Sequence, residues 1–166
     1  ETVTQSGSGT YLYEEEVTIN ATMLVGYHFV NWAGTYNTNV QNYTFTMPAG
    51  NVEETVSAEY NTYTVEYYQG NSEAISGATK LGESTYTYDT AGNLKTYNEL
   101  SIEVPTGWRF AGWTANNGID ITEVTYVDGQ SVINLTETNN ETIKIYTIFE
   151  RTITFKSGKD GLEETE

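Results

Sequence analysis

The chain has 166 residues, of which 7 are Lys or Arg and 23 are Asp or Glu, leaving a formal net charge of −16. Such a surface repels phosphate backbones and anionic bilayers, so neither nucleic acid nor direct membrane insertion is expected among its partners. No cysteine is present, which removes disulfides, thiol chemistry and cysteine-built zinc sites.

The order of apolar and polar residues is that of short strands. The chain opens at Glu1-Thr2-Val3-Thr4 in what reads as a strand, with no basic and apolar leader, and so reads as an excised fragment. Val17, Ile19 and Ala21 alternate with Thr18 and Asn20, Tyr43, Phe45 and Met47 with Thr44 and Thr46, and Val56, Ala58 and Tyr60 with Thr55, Ser57 and Glu59. Gly7-Ser8-Gly9, Gly34 and Pro48-Ala49-Gly50-Asn51 punctuate them. About five strands ending near Tyr60 are predicted for this first stretch.

A second stretch starts at Tyr63-Thr64-Val65-Glu66-Tyr67. Further strands are expected at Thr85 to Tyr88, Leu100 to Val104, Trp108 to Trp113, Thr122 to Val127 and Ser131 to Leu135. A closing strand places Ile143, Ile145, Thr147 and Phe149 on one face. Between Ala91 and Leu100, Gly92 and two asparagines weaken any helix, and the segment reads as a loop with one possible helical turn. Thr152-Ile153-Thr154-Phe155 then repeats the alternation of Thr64-Val65-Glu66-Tyr67.

One pattern occurs twice. GYHFVNW, from Gly26 to Trp32, and GWRFAGW, from Gly107 to Trp113, share a glycine, an aromatic, a Phe and a Trp at identical spacing. No residue common to both can act as nucleophile, base or metal ligand, so the cassette specifies a fold unit and the chain is a tandem repeat. Strict alternation sends Phe29 and Trp32 to opposite faces, and likewise Phe110 and Trp113. Either a bulge, at Gly112 in the second copy, brings both inside, or the Trp seals a second surface such as a contact between repeats.

Catalytic chemistry finds little to work with. His28 is the single histidine, and Arg109 takes its place in the second cassette, as expected of a tolerated surface position rather than a fixed general base. Glu14-Glu15-Glu16 enters a strand, where alternation separates neighbouring side chains, so a solvated edge is expected rather than an acid and base pair. Asp120, Glu123 and Asp128 lie close in sequence without an EF-hand loop, which offers weak calcium binding at most. No cofactor and no tightly held metal is expected. Four Asn-x-Thr sequons, at Asn20, Asn42, Asn134 and Asn140, arise readily by chance in a chain this rich in Asn and Thr.

The two cassettes, the segment TFTMPAGNV from Thr44 to Val52, and a closing strand that runs straight into a Tyr-Thr-Val strand resemble the internalin-type B-repeat group. Residues 1–61 are similar to its divergent short version, residues 62–150 to the longer one, and residues 151–166 to the start of a further repeat or a linker. The second repeat departs from the pattern in lacking the TMP segment and in the length of its Ser72 to Asn98 stretch. The resemblance implies a mainly β fold, as two small tandem modules, β-grasp-like or all-β, with at most one short helix and an elongated arrangement. It further implies non-catalytic modules of an extracellular bacterial surface or wall protein, acting as a stalk or spacer, with neighbouring repeats as their partners. The alternative is an adhesive module that binds a glycan or a protein.

Overall fold

The computed structural model of the chain describes residues 2–70, 78–115 and 123–155. They hold eleven strands and no helix, so the fold is mainly β and of the all-β kind. By packing, the chain divides into two compact units. The first comprises Glu1–Val65, Thr85–Gly92 and Ser131–Ile143, and the second Glu66–Ser84, Asn93–Gln130 and Lys144–Glu166.

The five strands expected before Tyr60 are all present, as β1 (Val3–Ser6), β2 (Glu16–Met23), β3 (Tyr27–Gly34), β4 (Asn42–Thr46) and β5 (Glu54–Tyr60). β2 lies between β1 and β4 in an antiparallel sheet, and β3 pairs with β5. The alternation in β2 does what it predicts. Val17, Ile19 and Ala21 turn inward, meeting Trp32 of β3 and Phe45 of β4 in one core, while Thr18 and Thr44 share a 2.8 Å hydroxyl hydrogen bond outside it.

The second stretch contributes β6 (Thr62–Gln69), β7 (Thr79–Thr87), β8 (Gly92–Asn93), β9 (Arg109–Thr114), β10 (Ser131–Val132) and β11 (Glu141–Glu150). Four of them form a sheet in the order β7-β6-β11-β9, and β8 pairs with β10. The closing strand β11 therefore has a neighbour on each edge, and it is buried on both faces rather than one: Ile145 and Thr147 on one side, Tyr146 and Ile148 on the other. Tyr68 packs on Tyr146 at 5.4 Å between ring centroids and covers the second face.

Three expected elements differ. Leu100 to Val104 is not a strand, although Leu100 and Ile102 are buried. A single turn comes first, in which the Leu100 N–H donates to the Thr96 carbonyl, and Ser101 then takes a left-handed φ of 52° that ends regular structure. That turn is the one foreseen between Ala91 and Leu100, closed by a capping box in which Thr96 N–H donates to Glu99 Oε2 at 2.7 Å and Glu99 N–H to Thr96 Oγ1 at 3.3 Å. Of Thr122 to Val127, Thr122 lies outside the described residues, and only Tyr126 pairs, by an isolated bridge to Trp113. Thr152 to Phe155 carries no strand, and Ile153 and Phe155 are 68% and 81% exposed.

The cassettes share one irregularity that alternation alone does not give. In the first, Phe29 pairs with Ala58 and Asn31 with Ser57, so Val30 is an extra residue; in the second, Phe110 pairs with Phe149 and Gly112 with Ile148, so Ala111 is extra. Each is a β-bulge, and it brings residues three apart onto one face. Phe29 lies 6.1 Å from Trp32, and Phe110 lies 5.2 Å from Trp113. The bulge expected at Gly112 is thus present one residue earlier, in both copies. Gly112 has φ 146°, and a Cβ there would stand 2.5 Å from the Tyr126 carbonyl oxygen, so the second bulge requires glycine.

Trp113 is fully buried beside Tyr67 and Phe110, with centroid separations of 5.1 and 5.2 Å. Trp113→Ala is expected to cost about 3–5 kcal/mol, against about 1 kcal/mol or less for the 41% exposed Trp108. Chemical denaturation followed by circular dichroism checks the difference. A second expectation concerns acid. The Lys80 ammonium, against which burial acts and with which the Tyr68 hydroxyl cooperates, holds the Glu66 carboxyl below its ordinary pKa of 4.5. A carboxylate depressed by folding stabilises above the unfolded pKa, and that contribution disappears as pH falls through the folded one. Glu66→Gln should therefore flatten the acid limb of a melting temperature profile below pH 4.5 and leave its neutral limb parallel to the parent.

Candidate functional site

The cassette residues of both copies serve packing. Trp32 and Trp113 are 2% and 0% exposed and occupy the deepest positions, with Phe29 and Phe110 half-buried beside them. Each Trp also forms an antiparallel bridge on its free edge, Trp32 with Thr38 and Trp113 with Tyr126. The Trp32 indole N–H donates to the Gln41 carbonyl at 3.1 Å. Gly26 and Gly107 sit at the third position of equivalent turns, closed by Tyr27 N–H to Leu24 carbonyl at 3.1 Å and by Trp108 N–H to Pro105 carbonyl at 3.0 Å. Their φ values of 82° and 80° are those a type II turn demands at that position.

The ionisable candidates do not converge. His28 lies half-buried on β3 opposite Glu59, and the equivalent Arg109 forms a 2.9 Å ion pair with Glu150. Glu14 to Glu16 is an exposed corner in which the Glu15 carboxylate accepts the Leu12 N–H at 2.7 Å, closing the turn into β2. Asp120 lies outside the described residues. Asp128 accepts the Tyr97 N–H at 2.8 Å, and no group of three His, Asp or Glu that could hold a metal occurs among the described residues. Two sequon asparagines have folding roles: Asn134 and Asn140 take φ of 51° and 59°, and the Asn134 amide oxygen accepts the Asp89 N–H at 2.5 Å.

A cavity of about 200 Å³ opens in the first unit between the Gly7–Gly9 loop and core residues Val17, Ile19, Trp32 and Phe45. The Tyr11 hydroxyl donates to the Gly7 carbonyl at 2.7 Å and holds that loop. Glu54 lies at the rim, its Oε1 accepting the Tyr36 N–H at 2.6 Å. The walls are mainly the side chains that hold the two sheets of the first unit together, so the space is a gap in their packing.

The most organised constellation in the first unit is the link from β5 to β6. Asn61 is 5% exposed although the sequence offers it only as a short connector. Its N–H donates to the Gly26 carbonyl at 2.7 Å, its carbonyl accepts the Tyr88 N–H at 2.8 Å, and its side-chain amide donates to the Glu137 carbonyl at 2.7 Å. The next residue, Thr62, donates its N–H to Asn139 Oδ1 at 3.0 Å and accepts the Asn140 N–H at 2.7 Å. Rings enclose these bonds. Tyr27 stacks on Tyr60 at 4.5 Å, Tyr63 on Tyr86 at 5.6 Å, and the Tyr88 ring lies over Gly26 so closely that a Cβ there would be 2.1 Å from it. The Tyr27 hydroxyl is pushed up to about 12, first by its hydrogen bond with Tyr60, then by burial and the charge of Asp89.

Sequence reasoning missed Tyr88 and the Asn139–Asn140 pair as parts of this link. The available signal was local: Tyr88 precedes Asp89-Thr90-Ala91-Gly92, a turn composition, and an aromatic at a turn needs a surface to cover.

The geometry is that of a repeat module whose closing strand is fastened to the next strand, β6, at a tied joint. Residues 2–65 match the family model of the divergent InlB B-repeat domain. This stretch holds the first cassette, β1 to β5 and the start of β6. No curated protein and no solved structure matches the chain.

Gly26 and Gly107 give a paired measurement, because their backbone strain is the same and only one is covered. Gly26→Ala should destabilise by about 1–3 kcal/mol more than Gly107→Ala, since the added methyl displaces the Tyr88 ring in one case and meets open space in the other. Denaturation midpoints of the two variants, compared with each other, check it.

Proposed function

We propose that the chain is a non-catalytic spacer segment of an extracellular bacterial surface protein, its repeats joined stiffly enough to hold a partner domain away from the envelope. The link at Asn61 and Thr62 carries this reading. Five hydrogen bonds leave those two residues, and a connector so tied does not behave as a flexible coil. The match of residues 2–65 to a B-repeat family model supports it, as a repeat of surface proteins is a module for building length. The net charge of −16 would keep neighbouring stalks from associating.

One feature favours an adhesive role. Leu12 and Tyr13 stand 78% and 67% exposed at the turn before Glu14, and an exposed aromatic beside carboxylates can stack on a sugar or anchor a protein. The test separates the two. As a spacer, the purified chain shows no saturable binding to glycan arrays or host cell surfaces, and in the parent protein an unrelated rigid module of equal length replaces it without loss of function. A flexible Gly/Ser segment of that length does not. Saturable binding that Leu12→Ser and Tyr13→Ser abolish overturns the spacer reading in favour of the adhesive one.

A further inference from the structure

The two cassettes end alike but are covered differently. Tyr27 lies across from Tyr60 in the β3–β5 pairing, and the rings stack. One step beyond the Arg109 and Glu150 pair of β9 and β11, the same register sets Trp108 across from Arg151, whose guanidinium lies 4.8 Å from the indole centroid. Both pairs come directly after the same glycine turn. Over Gly26 lies the Tyr88 ring; within 4 Å of a Cβ at Gly107 there is nothing, and Trp108 is 41% exposed.

We propose that the Gly107–Trp108 turn is a docking socket for a further repeat of the same kind, continuing from Arg151, whose counterpart of Tyr88 would lie over Gly107. The proposal rests on the spacer reading and says how its segments join. Three observations argue for this occupant. At the first cassette the same turn is filled by Tyr88, a ring from the chain beyond the β5–β6 link, inside the first compact unit. The residues after Arg151 leave Ile153 and Phe155 at 68% and 81% exposure, apolar side chains that a strand pairing beyond this point would cover. Charge is complementary as well. Arg109 is paired with Glu150, so Arg151 supplies the net positive charge of this end, and the residue after Tyr88 is Asp89. In a further repeat, a carboxylate in that place would face Arg151.

The socket predicts a change in the accessibility of one side chain. Trp32 and Trp113 are buried, so acrylamide quenching in this chain reports on Trp108. In a fusion that continues after Arg151 with a second copy of residues 61–155, the added copy bearing Trp108→Phe, quenching of the original Trp108 should fall severalfold. Tyr88→Ala in the added copy should restore it. Trp108 remaining fully quenchable in the fusion, with near-ultraviolet circular dichroism showing the added copy folded, overturns the proposal. A second measurement needs no fusion. Tyr88→Ala in the chain itself should speed hydrogen exchange at the Asn61 amide severalfold with the Trp113 amide unchanged. Unchanged exchange at Asn61 would mean that the ring does not close the joint, and it would equally overturn the proposal. Either failure leaves the replacement test of the spacer reading unaffected, so the two can fall separately.

Discussion

The bulge in each cassette is the constraint on which the rest of the architecture depends. A strand shows alternate residues to alternate faces, so a Phe and a Trp three apart cannot both enter one core without an inserted residue. Val30 and Ala111 are those inserted residues, each unpaired in its ladder. The gain is a Trp buried at 2% in one copy and 0% in the other, and for modules this small such rings supply a large part of the apolar area available. On the other edge of its strand each Trp bridges a loop residue, Thr38 or Tyr126, which ties down the segment after β3 or β9.

The same strand that carries the bulge begins at the glycine turn, so core and joint are set by one cassette. From Gly26 to Trp32 the chain first presents a bare backbone to a ring, then a stacked aromatic, and then inserts Phe and Trp into the core. Any change in register between β3 and β5 would move Tyr27 off Tyr60 and Gly26 off Asn61 as well as removing Trp32 from the core. Packing and linkage are therefore coupled through a few residues, and the spacing of the cassette cannot vary without loss of both.

Much of this was legible in the sequence, for physical reasons that differ by element. β2, β4 and β5 were readable because each turns one face toward the core, buried in β2 and β4 and half-buried in β5, and period-two alternation records that directly. The repeat was readable because glycine, Phe and Trp each have a requirement that few other residues meet. For β11 the sequence set Ile143, Ile145, Thr147 and Phe149 on one face, and the burial of Tyr146 and Ile148 on the other went unread because Lys144 shares that face and the covering Tyr68 is remote in sequence. Leu100 and Ile102 have the spacing of a strand and are buried, yet their backbone is set by the turn that the Thr96 and Glu99 capping box closes. The joint was the least legible part. Asn61 carries no apolar signal, and its partners at Tyr88, Glu137 and Asn139 lie far along the chain.

The chemistry of the two cassette ends separates a joint held by uncharged groups from one held by charge. At the first, the bonds run between backbone amides, carbonyls and the Asn61 and Asn139 side chains, enclosed by tyrosine rings; none of these groups changes charge between mildly acidic and neutral pH. At the second, Arg109 meets Glu150 with the two side chains 71% and 47% exposed, and Arg151 lies on an exposed indole. Exposed ion pairs contribute about 0–1 kcal/mol and are screened over about 8 Å at physiological ionic strength. The formed link is thus insensitive to the salt around it, while the open end is held only loosely by its own charges. Arg151 can leave Trp108 at little cost, as the proposed docking of a ring and a carboxylate there requires.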